Sequence, residues 1–120
     1  MERFECRGVS IDVFGWVFGE LVNKSGKMYL VERIENKHTR ENGIVLHIVF
    51  EETIGCYTGV NDISGMRIYT GDIVEIYSEL KQKWNIESET VNENFLERFK
   101  PKEFKFKLVG NIFEEDYGVI

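Results

Sequence analysis

The sequence contains few of the residues that mark linkers and disulfide-rich folds. Of its 120 residues, one is proline and two are cysteine. This scarcity excludes a proline-rich linker and a framework of several disulfides. Cys6 and Cys56 have no CxxC or histidine spacing around them, so both are predicted to be free thiols in a reducing cytosol.

Long apolar runs are also missing. No run approaches the roughly 18 residues that a membrane span requires. The opening residues, MERFEC, lack the basic start and apolar run of a signal peptide. We therefore expect a soluble, cytoplasmic protein with no membrane partner, and the length favours one domain over residues 1–120.

Positive charge is scarce in the middle of the chain. The formal net charge is −6, and residues 51–80 carry six carboxylates against Arg67 as their single base. Phosphate backbones are bound mainly by Lys and Arg, so this balance disfavours nucleic acid as a partner. A solvated acidic face is the ordinary interpretation of such a segment.

Short strands separated by turns dominate what the sequence does contain. The segment IVLHIVF (residues 44–50) alternates, and its wholly apolar face, formed by Ile44, Leu46, Ile48 and Phe50, is predicted to point into the core. In KEFKFKL (residues 102–108), the same period sends Phe and Leu inward and Lys outward.

The period changes after Lys81. Residues 88–99 place apolar side chains at helical spacing, with Ser88 as a plausible N-cap and Pro101 as the stop. The sequence therefore predicts a mainly β fold, a small curled sheet or partly open barrel, with one helix near residues 88–99.

The glycine-rich segment GCYTGVNDISGMRIYTGDIVEIY (residues 55–77) resembles a ligand loop at first sight. A phosphate loop needs a Lys and a following helix, and this segment has neither. The oxygen donors of Asn61, Asp62 and Ser64 lack the alternate spacing of an EF-type calcium loop. Asp62 and Asp72 would form a carboxylate pair if they met across a hairpin. Turn formation explains them better, since Asp bonds nearby amides, so we expect no catalytic residue.

Metal and cofactor sites have equally little support. Cys6, Cys56, His38 and His47 would supply a Cys₂His₂ set only if they met in space, because their spacing lacks the short-range pairs of zinc sites. We therefore expect neither a metal nor a cofactor.

One basic cluster keeps nucleic acid open as an alternative partner. Exposed aromatic side chains stack on bases, and basic strands follow phosphates. Trp16 and Trp84 are candidates for stacking. The residues that would serve this alternative are Lys100, Lys102, Lys105, Lys107 and Trp84. The competing interpretation is a charged strand that prevents sheet aggregation.

Three segments in order resemble the YopX family of bacteriophage and prophage proteins. CRGVSIDVFGWVFGELV is similar to the family's opening motif, residues 55–76 to its hallmark GQ-[FY]-TGL-D-NG-IYEGDIV, and KLVGNIFEE to its closing VIGNIYEN. Departures are Cys56 for Gln, Thr70 for Glu and Ser64 for Asn. The resemblance implies a β-rich cytoplasmic protein of phage origin in a bacterial host. It assigns no catalytic or binding residue.

These observations predict a non-enzymatic module that self-associates or binds an unidentified protein. The alternative is a small β-barrel that binds nucleic acid through residues 100–107. The identity of the partner and the oligomeric state are not encoded in any motif of the chain.

Overall fold

The computed structural model describes residues 5–35 and 42–117. Strands dominate the described residues, and the two α-helices among them are four residues long. The mainly β prediction is confirmed. The strands are β1 (Cys6–Val9), β2 (Trp16–Lys24), β3 (Lys27–Glu35), β4 (Asn42–Ile48), β5 (Gly55–Asn61), β6 (Arg67–Tyr69), β7 (Asp72–Ser78), β8 (Lys83–Trp84), β9 (Glu89–Thr90) and β10 (Phe104–Asn111); the helices are α1 (Phe95–Arg98) and α2 (Glu114–Tyr117).

The chain forms two compact units that divide within β5, between Cys56 and Tyr57. The first residues of β5 pair with β1, and its later residues pair with β6. In the described residues neither sheet closes into a barrel. No helix of this part of the chain is long and apolar enough to cross a membrane.

The first unit is an antiparallel sheet in the order β4-β3-β2-β1. A two-residue turn joins β2 to β3, with Ser25 at φ 54° and Gly26 at φ 83°. Positive φ at both central residues gives the turn whose twist matches the strands it connects. Asn23 Oδ1 accepts the Gly26 amide at 3.2 Å and fixes that turn. Leu30, in the next strand, is fully buried.

The prediction of free thiols is wrong, because Cys6 and Cys56 form a disulfide in the first unit. The two residues are directly opposite each other on the antiparallel strands β1 and β5, and their Cα atoms are 4.0 Å apart. The bond lies in a small core with Leu30 and Val49. Periodicity places each cysteine on a strand but carries no information on which strands pair across 50 residues.

The predicted inward face of β4 is also wrong. Ile44, Leu46 and Ile48 are 67%, 47% and 48% exposed. Leu30 on β3 is paired with His47, whereas Leu46 is paired with Val31. Directly paired residues share a face, so the core side of β4 is the His47 side and the wholly apolar side lies outward.

The second unit contains β10, β7 and β8 in that order, with β9 also paired to β7. Its buried core is larger and more aromatic than that of the first unit, and Phe95 contacts Phe106 at 5.1 Å between ring centroids. Inward-pointing Phe106 and outward-pointing Lys105 and Lys107 follow the predicted alternation. The core consists of Ile68, Val74, Ile76, Val91, Phe95 and Phe106.

The predicted helix over residues 88–99 is reduced to the single turn α1. Glu89 pairs with Val74 on β7, and the Val91 amide donates to the Asp72 carbonyl at 2.8 Å. The backbone groups of residues 89–91 therefore bond to the sheet and are not available for helical hydrogen bonds. Ser88 is not the N-cap; Asn94 occupies that position.

Candidate functional site

The hallmark segment of the second unit is organised around buried Asp62. Its Oδ1 accepts the Ser64 amide, the Ser64 hydroxyl and the Met66 amide, at 2.9, 2.8 and 2.9 Å. Its Oδ2 accepts the Leu108 amide from β10 at 3.1 Å. The carboxylate therefore holds the turn after β5 in shape and ties it to a distant strand.

These hydrogen bonds stabilise the ionised form of the Asp62 carboxyl. Burial by itself would raise the pKa of this carboxyl, but the hydrogen bonds from Leu108, Ser64 and Met66 outweigh it and hold the pKa below its ordinary value. Asp62 is thus an ionised structural anchor at neutral pH. A general acid would need the opposite shift.

The second carboxylate of the segment also serves a turn. Asp72 is 1% exposed, and its Oδ2 accepts the Tyr69 amide at 2.7 Å. Gly71 has φ 95°, and an added Cβ would approach the Phe113 ring to 3.0 Å. The Thr-Gly-Asp sequence is therefore explained by backbone conformation and close packing.

The groups considered for metal binding do not converge among the described residues. Cys6 and Cys56 are joined to each other, and His38 lies outside the described residues. His47 Nε2 lies 3.0 Å from Glu32 Oε2 on the neighbouring strand, an exposed cross-strand pair.

The basic strand carries its lysines on one face of β10. Lys105 lies opposite Tyr77, and Tyr77 lies opposite Trp84 on its other side. The Tyr77 and Trp84 rings meet edge to face with centroids 5.4 Å apart. The structure thus aligns a lysine with two aromatic rings across three strands.

Carboxylates interrupt this basic face. Lys105 Nζ is 3.2 Å from Glu79 Oε1, and Lys107 is paired in register with Glu75. Lys100 and Lys102 are exposed in the segment that precedes β10. The alternative nucleic-acid residues therefore share a region but lie among acidic neighbours.

A cleft of about 400 Å³ opens in the second unit. The Phe99 and Phe104 rings form an edge-to-face pair in its wall, with centroids 5.3 Å apart, and Ser78, Asn85 and Glu103 add polar groups. The Ser78 hydroxyl already accepts the Lys81 amide at 3.2 Å. Nothing in this lining selects one class of ligand.

The most distinctive exposed surface lies in the first unit. We call it the β4 face and define it by Phe18, Val31, Ile44, Leu46 and Ile48, which share one side of the sheet β2-β3-β4. Val31 is paired with Leu46 and with Glu20, and Phe18 lies two residues before Glu20. Arg33, paired with Ile44, and Glu20, paired with Val31, lie on the same side, so the exposed apolar residues form a strip along β4 with charged neighbours. Exposed apolar surface marks interaction sites in folded proteins.

A turn next to this face presents further apolar side chains. The Ser10 hydroxyl accepts the Asp12 and Val13 amides at 3.2 and 3.3 Å, and Phe14 is held at φ 52°. Val13 and Phe14 are 70% and 62% exposed. A positive φ costs free energy in a residue other than glycine. The hydrogen bonds of this turn therefore hold Phe14 in an unfavourable backbone conformation.

Sequence reasoning missed the β4 face because it assigned those side chains to the core. The available signal was the absence of charge in residues 42–50, NGIVLHIVF, beside a polar loop. Alternation alone reports that one side is apolar. It does not report whether another layer covers that side.

Comparison with known proteins adds one positive result. The family model described as YopX protein matches residues 15–117, which is most of the chain. No curated protein and no solved structure matches the chain.

Proposed function

The chain belongs to the YopX family, and we propose that it is a phage- or prophage-derived accessory protein that acts without enzymatic activity. It serves as a protein-interaction or self-associating module in the cytoplasm of the bacterial host. The observation that carries the proposal is the β4 face, where Ile44, Leu46 and Ile48 are 67%, 47% and 48% exposed on one side of the sheet.

Physical chemistry favours a protein partner for this surface. Covering apolar area contributes roughly 25 cal/mol per Å², and residues 42–50 carry no Asp, Glu, Lys or Arg. Interface centres are depleted of charge in the same way. The acidic balance of −6 keeps phosphate polymers away from the rest of the surface.

Affinity capture from a lysogenic host tests the proposal. Captured proteins are identified by mass spectrometry for the wild-type chain and for the double variant Ile44→Ser/Leu46→Ser. The matched control is Ile86→Ser, which changes a fully exposed isoleucine of the second unit. We expect a protein, or the chain itself, to be retained by wild type and control and lost by the double variant. Equal capture by all three removes the β4 face as the site.

The second candidate function is nucleic-acid binding, favoured by the alignment of Lys105 with Tyr77 and Trp84. Titration of single-stranded DNA between about 50 and 200 mM salt tests it, because phosphate contacts give a steep salt dependence. In Lys105→Ala/Lys107→Ala, the negative slope of log K against log salt should become less steep by about 1.4, because two phosphate contacts are lost. Absence of binding at the low-salt end rejects this candidate.

A further inference from the structure

Along residues 42–46, the outer edge of β4 presents backbone groups that no other described residue binds. The Ile48 carbonyl accepts the Ile11 amide at 3.0 Å, so Ile48 directs its backbone groups away from β3. In an antiparallel strand alternate residues direct their amide and carbonyl to the same side. The β3–β4 register runs without a bulge, so Ile44 and Leu46 also direct theirs outward.

Only the end of this edge is covered in the described residues. Ser10 bridges to Val49, and the Ile11 amide reaches Ile48. Beyond that point, β4 is the last strand of its sheet. The segment open to pairing is residues 42–46.

The open edge lacks the features that normally prevent pairing. Proteins protect edge strands with lysine, proline, bulges or inward-pointing charges. Residues 42–50 contain no proline and no Lys, Arg, Asp or Glu. Two chains of net charge −6 thus meet here without like charges opposite each other.

We propose that a second copy of this chain docks on residues 42–46, so that the two β4 strands pair antiparallel about a two-fold axis. This inference rests on the proposed function and names the partner of the same site. The identical edge is self-complementary: Ile44 and Leu46 of each copy supply two amides and two carbonyls to the other. Their side chains then meet on one continuous apolar face, because directly paired residues share a face.

The proposed contact is small. A strand pair of about five residues with two large side chains per copy buries well below the roughly 1,200 Å² of a stable interface. The dimer is therefore weak and concentration-dependent. A foreign strand would make the same backbone bonds, but it would need its own apolar residues in this register.

Sedimentation equilibrium on the purified full chain, over about 1 µM to 1 mM, measures the association. The test variant is Leu46→Lys, which places two lysines near the two-fold axis, and the matched control is Ile86→Lys in the second unit. We expect wild type and control to dimerise equally and Leu46→Lys to associate at least about tenfold more weakly.

Amide hydrogen exchange on the wild-type chain supplies a readout that no variant can confound. The Ile44 and Leu46 amides should exchange more slowly as the concentration rises, while the Val45 amide, directed to β3, should not change.

Three outcomes overturn the inference: a monomer across the whole range, a dimer insensitive to Leu46→Lys, or concentration-independent exchange at Ile44 and Leu46. The proposed function is judged separately. A monomeric chain that still loses a captured protein in the Ile44→Ser/Leu46→Ser variant rejects the second copy and keeps the interaction module.

Discussion

The two units of this chain are stabilised in different ways. The second unit has a core of six buried apolar residues, in which Phe95 and Phe106 are in ring contact, and two buried carboxylates that bond its turns. The first unit has a core cluster of three buried residues and a disulfide. It leaves Phe18, Ile44, Leu46 and Ile48 of the β4 face exposed.

This difference shows where the chain keeps surface available for partners. The second unit also exposes apolar side chains, such as Leu80 and Ile86, but these two lie outside its strands, whereas Ile44, Leu46 and Ile48 lie along one side of β4. A cross-link can replace part of a missing core. The first unit therefore combines a small core, a covalent constraint and an uncovered apolar side. The experiments below test this contrast, beginning with the variant that is expected to lose the most stability.

Replacing Phe106 by alanine should have the largest effect. The side chain is 2% exposed and contacts Phe95, so Phe106→Ala is expected to lower the free energy of unfolding by about 3–5 kcal/mol. Urea denaturation measures it. The control on the same strand, exposed Val109→Ala, should change stability by about 0.5 kcal/mol or less. A similarly small loss for Phe106→Ala would contradict the assignment of this core.

Removing the disulfide should come next. It closes a separation of 50 residues, so Cys6→Ala/Cys56→Ala is expected to cost about 3–4 kcal/mol. Hydrogen exchange should show lost protection in β1 and β3 and retained protection in β7 and β10. Equal loss in both sets would show that the units unfold together, which would break the contrast between them.

The compartment can be examined on the same bond. Alkylation of free thiols in intact cells, followed by mass spectrometry, reports whether Cys6 and Cys56 are joined where the protein acts. A reducing cytoplasm favours free thiols. If Cys6 and Cys56 resist alkylation because they are joined, the result argues against a cytoplasmic location.

Asp62→Ala is expected to lower stability by about 2–3 kcal/mol at pH 7, because it leaves several amides without their charged acceptor. Its pKa is lowered in the folded chain, so its contribution is present above the unfolded value of about 3.9 and is lost as pH falls through the folded value. The difference from wild type should shrink below about pH 4. Ser64→Ala, which removes the hydroxyl donor and leaves the amides in place, should cost less. A pH-independent difference would contradict the role of the ionised carboxylate.

The smallest effect is expected at Lys105. Its ion pair with Glu79 is exposed, so Lys105→Ala should change stability by less than about 0.5 kcal/mol. Thermal unfolding at low and high salt measures it. A loss above about 1 kcal/mol would show that this surface contributes to the second unit's stability more than exposed pairs ordinarily do.

The turns and strands were predictable because their causes are local. The residue types around Asn61-Asp62 and Gly71-Asp72 predict turns, and in the structure the Asp62 and Asp72 carboxylates accept turn amides. The alternation of Phe106 with Lys105 was also predicted correctly. The helix over residues 88–99 was not, because β7 takes the backbone groups of residues 89–91. The spacing of apolar residues does not show whether the backbone forms helical hydrogen bonds or pairs with a distant strand.

The amino-acid pattern is enough to tell which side chains lie on opposite sides of a strand and where the chain turns, because both follow from backbone geometry within a few residues. Long-range packing settles which side is covered and pairs Cys6 with Cys56. Those outcomes depend on strands far apart in the chain, as Leu30 beside His47 and Cys6 beside Cys56 show. An apolar side of a strand becomes core only where another layer covers it. None of the described residues covers the β4 face completely.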